Sequence, residues 1–247
     1  MKVFSKNNWL IDANEPYELQ KMLEEKGIRT VIELSSDLNV RTEVSSQPKE
    51  FPEHTKLKQI QVGGGRFKRE GVWKPASTAT KTLAAIDALH GHLKEIKQRF
   101  SEQVLNRKGL SGLYIDYAET SDKALKDIFG ILSDTESLPA LIHCEQGKDR
   151  TGVVIALILS ACGIDRKVIL ADYSKSRDGL HLQYDDVKDE MNGLGLKDEF
   201  AHTDPEALQD MFDHLEKTSS LNDFFTERCQ ITPEVLTKVQ DNLMMSQ

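Results

Sequence analysis

Between the apolar segments Leu138 to Ile142 and Val153 to Leu159 stands Ile142-His143-Cys144-Glu145-Gln146-Gly147-Lys148-Asp149-Arg150-Thr151-Gly152, and no other stretch limits the fold so closely. The order reads as strand, tight loop, buried helix. Gly147 and Gly152 permit the sharp curvature and close approach that a Cβ would block, so the loop N–H groups can converge on one oxyanion. A helix opening near Arg150 adds its unsatisfied N–H groups and the positive end of its dipole. Arg150 contributes a planar fork that matches two oxygens of a tetrahedral anion.

The same field acts on Cys144. A helix N-terminus with nearby cations favours thiolate over thiol, which makes Cys144 the candidate nucleophile. His143 reads as a residue that orients the loop, since a thiolate already formed needs no base. Thr151 places a hydroxyl where it can donate to the sulfur as that sulfur departs. With His143, the residues Glu145, Gln146, Gly147, Lys148 and Gly152 complete the candidate anion-binding set. Cys162 and Cys229 read as small core residues. No second Cys or His lies at zinc-ligand spacing from Cys144, so neither metal nor other cofactor is expected.

His-Cys-x-x-Gly-Lys-Asp-Arg-Thr-Gly resembles the signature loop of the cysteine-dependent protein tyrosine phosphatase superfamily, and within it the atypical tyrosine and lipid phosphatases whose loop carries Lys-Asp before the arginine. The segment Ile164-Asp165-Arg166-Lys167-Val168-Ile169-Leu170-Ala171-Asp172-Tyr173-Ser174-Lys175-Ser176 and the tail from Asp204 to Leu243 are similar to the corresponding parts of those enzymes. In the first half the likeness is confined to Lys26-Gly27-Ile28-Arg29-Thr30-Val31-Ile32-Glu33-Leu34. The resemblance implies an α/β fold of the protein tyrosine phosphatase type, a central, mostly parallel sheet flanked by helices. It also implies phosphomonoester hydrolysis through a cysteinyl-phosphate, with phosphate or sulfate as the loop ligand and no metal.

The leaving oxygen needs a proton, and two carboxylates compete to give it. Related enzymes carry an aspartate in a loop placed about where Gly63 to Gly71 stands, and this sequence has none there. Asp149 lies inside the loop and is similar to the proposed acid of myotubularin-like lipid phosphatases. Asp116 precedes Cys144 by 28 residues, a spacing similar to that of the mobile-loop acid in dual-specificity phosphatases. As substrates, phosphorylated proteins and phosphoinositides both stay open. Lys148, as a second cation on the loop floor, suits a headgroup with several phosphates; Glu145 on the rim counts against one, and few aromatic residues are visible to grip a phosphotyrosine ring. Two further readings use the same loop: a catalytically silent phosphate-binding module, and an arsenate reductase or sulfur transferase with Cys162 or Cys229 as resolving thiol.

A net charge of −8 argues against general nucleic-acid binding, which needs a basic face. Met1 to Leu10 lacks the apolar core of a signal peptide, and no apolar run approaches the about 20 residues of a membrane span, so a cytoplasmic location is expected. With no Gly/Ser/Pro linker, residues 1–247 read as one domain.

In chain order, a helix opening at Glu15-Pro16 with Leu19, Met22 and Leu23 inward should end at Gly27, and a strand should run from Thr30 to Leu34. Ser35 to His54 reads as loop with one short helix, Leu57 to Val62 as a second strand, and Gly63 to Gly71 as a mobile loop. Ser77 to Asn106 carries a single apolar stripe, Leu83, Ile86, Leu89, Leu93, Ile96, Phe100 and Val104, and so predicts one long helix, with 77–107 as a helical insertion placed like the lid of related enzymes. Leu113 to Tyr117 reads as a short strand or loop, Thr120 to Leu132 as a helix, and Leu138 to Ile142 as the strand feeding the loop. Beyond Gly163 a helix starts at Asp165 with Val168, Ile169 and Tyr173 inward, and Met191 to Ala201 connects. Asp204-Pro205 and Thr232-Pro233 open the C-terminal helices of residues 204–245.

Overall fold

Alternate side chains of the strand β1 (Thr30–Ser35) enter two different apolar layers, as a period of two requires. Val31 joins Met22, Leu23 and Ile28 beneath the helix α1 (Pro16–Glu25), whereas Ile32 and Leu34 belong to the main core on the other face. Two parallel neighbours flank β1 in the order β2-β1-β3, with β2 at Lys56–Gln61 and β3 at Ala140–His143. Ile32 faces Ile142 and Leu34 faces Ile60 in register, so all three strands offer apolar residues to the main core. A parallel sheet needs helices on both faces, and it has them. The computed structural model describes residues 16–35, 51–175 and 184–244; most of the predicted Ser35 to His54 loop lies outside them.

After β2 the chain turns at Gly63 and forms a short helix, α2 (Gly65–Phe67), that continues as π-helical turns through Lys68–Trp73. The mobile loop expected over Gly63 to Gly71 is therefore helical: Gly63 takes a positive φ of 80° beneath the Tyr117 ring, 2.8 Å from where a Cβ would stand, and Phe67 stacks on that ring. The single helix expected from Ser77 to Asn106 is also corrected. It breaks at Gly91, φ +74, into α3 (Thr78–Leu89) and α4 (Leu93–Phe100), a hairpin of two helices. A break of this kind preserves the three-and-four apolar spacing on each side, which is why the sequence conceals it.

From Phe100 the helix runs on through π-helical Ser101–Leu105 into α5 (Asn106–Thr120), kinked at Gly109. Leu113 to Tyr117, read as strand or loop, is helix here: Leu110, Leu113, Tyr114 and Ala118 recur at steps of three and four on its buried side. Tertiary burial overrides the strand preference of Tyr and Ile. Next come α6 (Asp122–Leu132) and β3, then α7 (Asp149–Ala161) and α8 (Arg166–Ser174), which buries Ile169 and Tyr173 but leaves Val168, expected inward, 58% exposed. α9 (Tyr184–Gly193) extends into the stretch read as a connection, and a 3₁₀ turn follows at Asp198–Ala201. α10 (Pro205–Thr218), the short α11 (Leu221–Asp223) and α12 (Pro233–Met244) close the core with Leu208, Met211, Phe212, Leu215, Val239 and Leu243. Asp204 caps α10 by accepting from the Glu206 N–H at 2.9 Å, with proline at the first helical turn as predicted. Among the described residues no helix is long and apolar enough to cross a membrane.

Candidate active site

The carboxyl ends of parallel strands are where open α/β sheets bind ligands, and both β1 and β3 end at the loop of residues 144–148. β3 stops at His143 and α7 begins at Asp149, so the chain must reverse within that loop. Gly147 makes the reversal at φ +64. Lys148 occupies the N-cap of α7 and gives no side-chain cap, which leaves the leading N–H groups of that helix able to serve a ligand. Gly152 is needed for another reason. A Cβ there would stand 2.5 Å from Cε2 of Tyr173, so only glycine lets α8 lie this close to α7.

Cys144 sits at the edge of the main core, 5% exposed, directly after β3. The His143 ring places Nδ1 3.2 Å from the Cys144 carbonyl, a contact that fixes the loop backbone. Arg150, on the first turn of α7, donates from Nη1 to the Leu34 carbonyl at 2.9 Å, so the end of β1 holds the guanidinium. Nη2 stands 3.8 Å from Glu145 Oε2 on the exposed rim, and a guanidinium with five donors keeps others for a ligand. Gln146 donates to Glu190 Oε2 at 3.0 Å and ties the loop to α9. The Thr151 hydroxyl is buried with no hydrogen-bond partner, a donor in want of an acceptor.

Lys148 departs from its expected place. Its ammonium is not on the loop floor but fully buried, donating to the carbonyls of Phe200 and His202 and standing 3.5 Å from Asp149 Oδ2. A buried ammonium must have such partners, and the carbonyls after α9 supply them.

Asp149 faces inward from the same turn. Its Oδ1 accepts from the Tyr114 hydroxyl at 2.8 Å, and that hydroxyl also bonds the Tyr173 hydroxyl. Burial raises the carboxyl above the usual aspartate range; Lys148, the Tyr114 hydrogen bond and Arg150 oppose this without cancelling it. Burial pushes the phenols of Tyr114, Tyr117 and Tyr173 up as well, so all three remain protonated donors. Asp116 lies elsewhere, on α5. Its Oδ2 accepts from Lys108 Nζ at 2.5 Å, and the same ammonium reaches the Gly71 carbonyl at 2.8 Å. Burial raises this carboxyl too, with Lys108 pulling the other way. It lines a groove of about 530 Å³ between α5 and α10, with Asp210, Asp213, His214 and Lys217.

The structure thus gathers Cys144, Asp149, Arg150 and Thr151 on one loop and helix start, and sets Asp116 apart on an ion pair. It adds residues that the sequence did not flag as part of the site: Tyr114, which donates to Asp149, Tyr173, which bonds Tyr114, and Phe67 and Tyr117, whose rings pack 5.1 Å apart at a tilt of 34°. This aromatic pair packs at the turn that follows β2, with the Tyr117 ring against Gly63. No local motif announces any of the four. Burial pushes the Cys162 thiol up to about 11 and the Cys229 thiol up to about 12, which makes both poor resolving nucleophiles. Chemically, the loop can grip a tetrahedral oxyanion and present it to a sulfur, with a raised carboxyl adjacent.

A profile described as "Tyrosine phosphatase family" matches residues 13–245. Over 106 residues, 43% of this chain, the sequence is 35% identical to the "Triple specificity protein phosphatase PtpB" of Mycobacterium tuberculosis (strain ATCC 25618 / H37Rv). Over 67 residues, 27% of the chain, it is 30% identical to a "Tyrosine-protein phosphatase" of Nostoc commune. The matched segments span 38% and 23% of those two relatives.

Proposed function

This chain belongs to the tyrosine phosphatase family, and from that premise we propose that it hydrolyses phosphomonoesters through a cysteinyl-phosphate. Cys144 Sγ attacks phosphorus, a sulfur–phosphorus bond forms, and the ester oxygen leaves with a proton from Asp149. Water then attacks the phosphocysteine, returns a proton to Asp149 and releases inorganic phosphate, while the Thr151 hydroxyl donates to the departing sulfur. Arg150 and the loop N–H groups hold the equatorial oxygens in both steps. One observation carries the reading: Cys144 directly follows β3 and Arg150 donates to the Leu34 carbonyl near the end of β1, the two residues being joined by a positive-φ glycine and a helix start without a side-chain cap.

Aryl phosphates, phosphotyrosine among them, are the substrates we propose first. The Phe67–Tyr117 pair at the turn after β2 is the aromatic surface we assign to the substrate ring, and the Lys148 ammonium that suited a polyphosphorylated headgroup is turned into the core. A reducing, cytoplasmic setting goes with a mechanism that needs a free thiol. Turnover of para-nitrophenyl phosphate that disappears in Cys144→Ser supports this function; no turnover in the parent chain would leave only a phosphate-binding module. A panel of phosphotyrosine peptide, phosphoserine peptide and phosphoinositide ranks the substrates, and release from phosphoinositide alone would overturn the aryl preference.

A further inference from the structure

Among the described residues eight large apolar side chains are exposed, and five of them, Trp73, Leu83, Ile86, Leu89 and Leu93, fall on the α3–α4 hairpin and its base. Such clustering is not the scatter of an ordinary surface. Leu83, Ile86 and Leu89 follow at steps of three along one side of α3, and Leu93 continues the row past the Gly91 break, with exposures between 44% and 85%. The hairpin beneath them is well built. Ser77 caps α3 by accepting from the Thr80 N–H at 3.1 Å, Arg99 grips Asp87 across the two helices at 2.8 and 3.0 Å, and Trp73 packs on Phe100. Thr80 and Ala84 fill its buried side, so the leucine row is the face left over.

Charge identifies what would cover it. Residues 66–107 hold nine Lys and Arg against four Asp and Glu, a surplus of five, in a chain whose net charge is −8; the remainder therefore carries −13. Lys94 and Lys97 are exposed on α4, and Lys81 lies over the Trp73 ring. A second copy of the chain would bring the same positive surplus against itself. An anionic lipid surface meets both features, accepting the leucines and tryptophan into its interfacial layer while lysine stems reach back to the headgroups.

We propose that the α3–α4 hairpin docks on anionic phospholipid bilayers, with Leu89 and Leu93 entering the interface and Lys94 and Lys97 on the headgroups. The acidic remainder of the chain is repelled by the same surface, so only this end is presented. The inference does not depend on the hydrolytic reading and holds whichever phosphomonoester is cleaved.

The test is flotation of the full chain with phosphatidylcholine vesicles, with and without phosphatidylserine, alongside Trp73 fluorescence in a Trp9→Phe background. The expected result is flotation and a blue shift only with phosphatidylserine, weakened by salt. Leu89→Asp/Leu93→Asp should abolish both signals, and Lys94→Glu/Lys97→Glu should weaken binding by about tenfold or more. All four positions are exposed, so the variants should keep the parent's thermal midpoint and its para-nitrophenyl phosphate turnover. The proposal is overturned by absence of flotation with phosphatidylserine, by equal flotation with phosphatidylcholine alone, or by binding that survives both variants. A concentration-dependent dimer dissolved by Leu89→Asp/Leu93→Asp would also overturn it, assigning the face to a second copy.

Discussion

Two regions of this molecule each bury an aspartate and raise its carboxyl, yet they are wired differently. At the first turn of α7, Asp149 accepts from the neutral Tyr114 phenol, which Tyr173 supports, and the buried Lys148 ammonium stands 3.5 Å away. Midway along α5, Asp116 is held by a cation, Lys108, which also braces the Gly71 carbonyl. Burial lifts both groups, so a raised carboxyl alone does not mark an acid. What separates them is the direct donor: Asp149 takes its short hydrogen bond from the Tyr114 phenol, with the Lys148 ammonium further off at 3.5 Å, whereas Asp116 is gripped at 2.5 Å by Lys108, a pair that also braces the Gly71 carbonyl.

The largest break in this comparison is Asp149→Asn. Turnover of esters with poor leaving groups should fall by about 10²–10⁴-fold, and the basic limb of the pH–rate profile should vanish. Esters with good leaving groups, which need no proton, should lose far less; an intact basic limb would move the acid elsewhere. Tyr114→Phe should act more gently, lowering kcat about tenfold through loss of one hydrogen bond to a charged group. That bond pulls the Asp149 carboxyl down, so its removal should shift the basic limb to higher pH, a sign that a merely structural tyrosine would not give.

Lys108→Met should leave turnover nearly untouched and instead cost about 1–3 kcal/mol of stability at neutral pH, read from urea melts, because Asp116 then stays buried without its partner. The folded-state carboxyl would lie further above its unfolded value, so the lost stability should return as pH falls through it and deepen as pH rises. Asp116→Asn should do least, changing kcat/KM by no more than about twofold, since the general-acid contribution it lacks is the 10²–10⁴-fold term assigned to Asp149. A large fall there, with the basic limb gone, would invert the comparison.

How far these two regions could be told apart from sequence is itself instructive. The loop of residues 144–152 was legible because its chemistry is local: glycines, arginine and threonine at fixed offsets around one cysteine. The helix starts at Pro16, Pro205 and Pro233 were legible for the same reason. Leu113 to Tyr117 was misread because tyrosine, isoleucine and the nearby glycines suit a strand, and only burial against α7 and α10 makes them helical. Asp116 consequently looked like a mobile-loop acid when it stands on the helical part of α5 that follows the Gly109 break. Tyr114 and Tyr173 lie 35 and 24 residues from Asp149, and no spacing rule joins them to it. The Gly91 break and the inward turn of Lys148 were hidden likewise, since each is decided by partners distant in sequence.

The Lys148 ammonium, seated on the carbonyls of Phe200 and His202, carries a lesson about timing. Those acceptors are made some fifty residues after the loop, so a chain still emerging from the ribosome has no berth for that cation. Until the segment before α10 arrives, the Lys148 ammonium lacks both of the carbonyls that satisfy it, so the start of α7 cannot settle into this packing. The order of synthesis thus sets the order in which this loop can be completed.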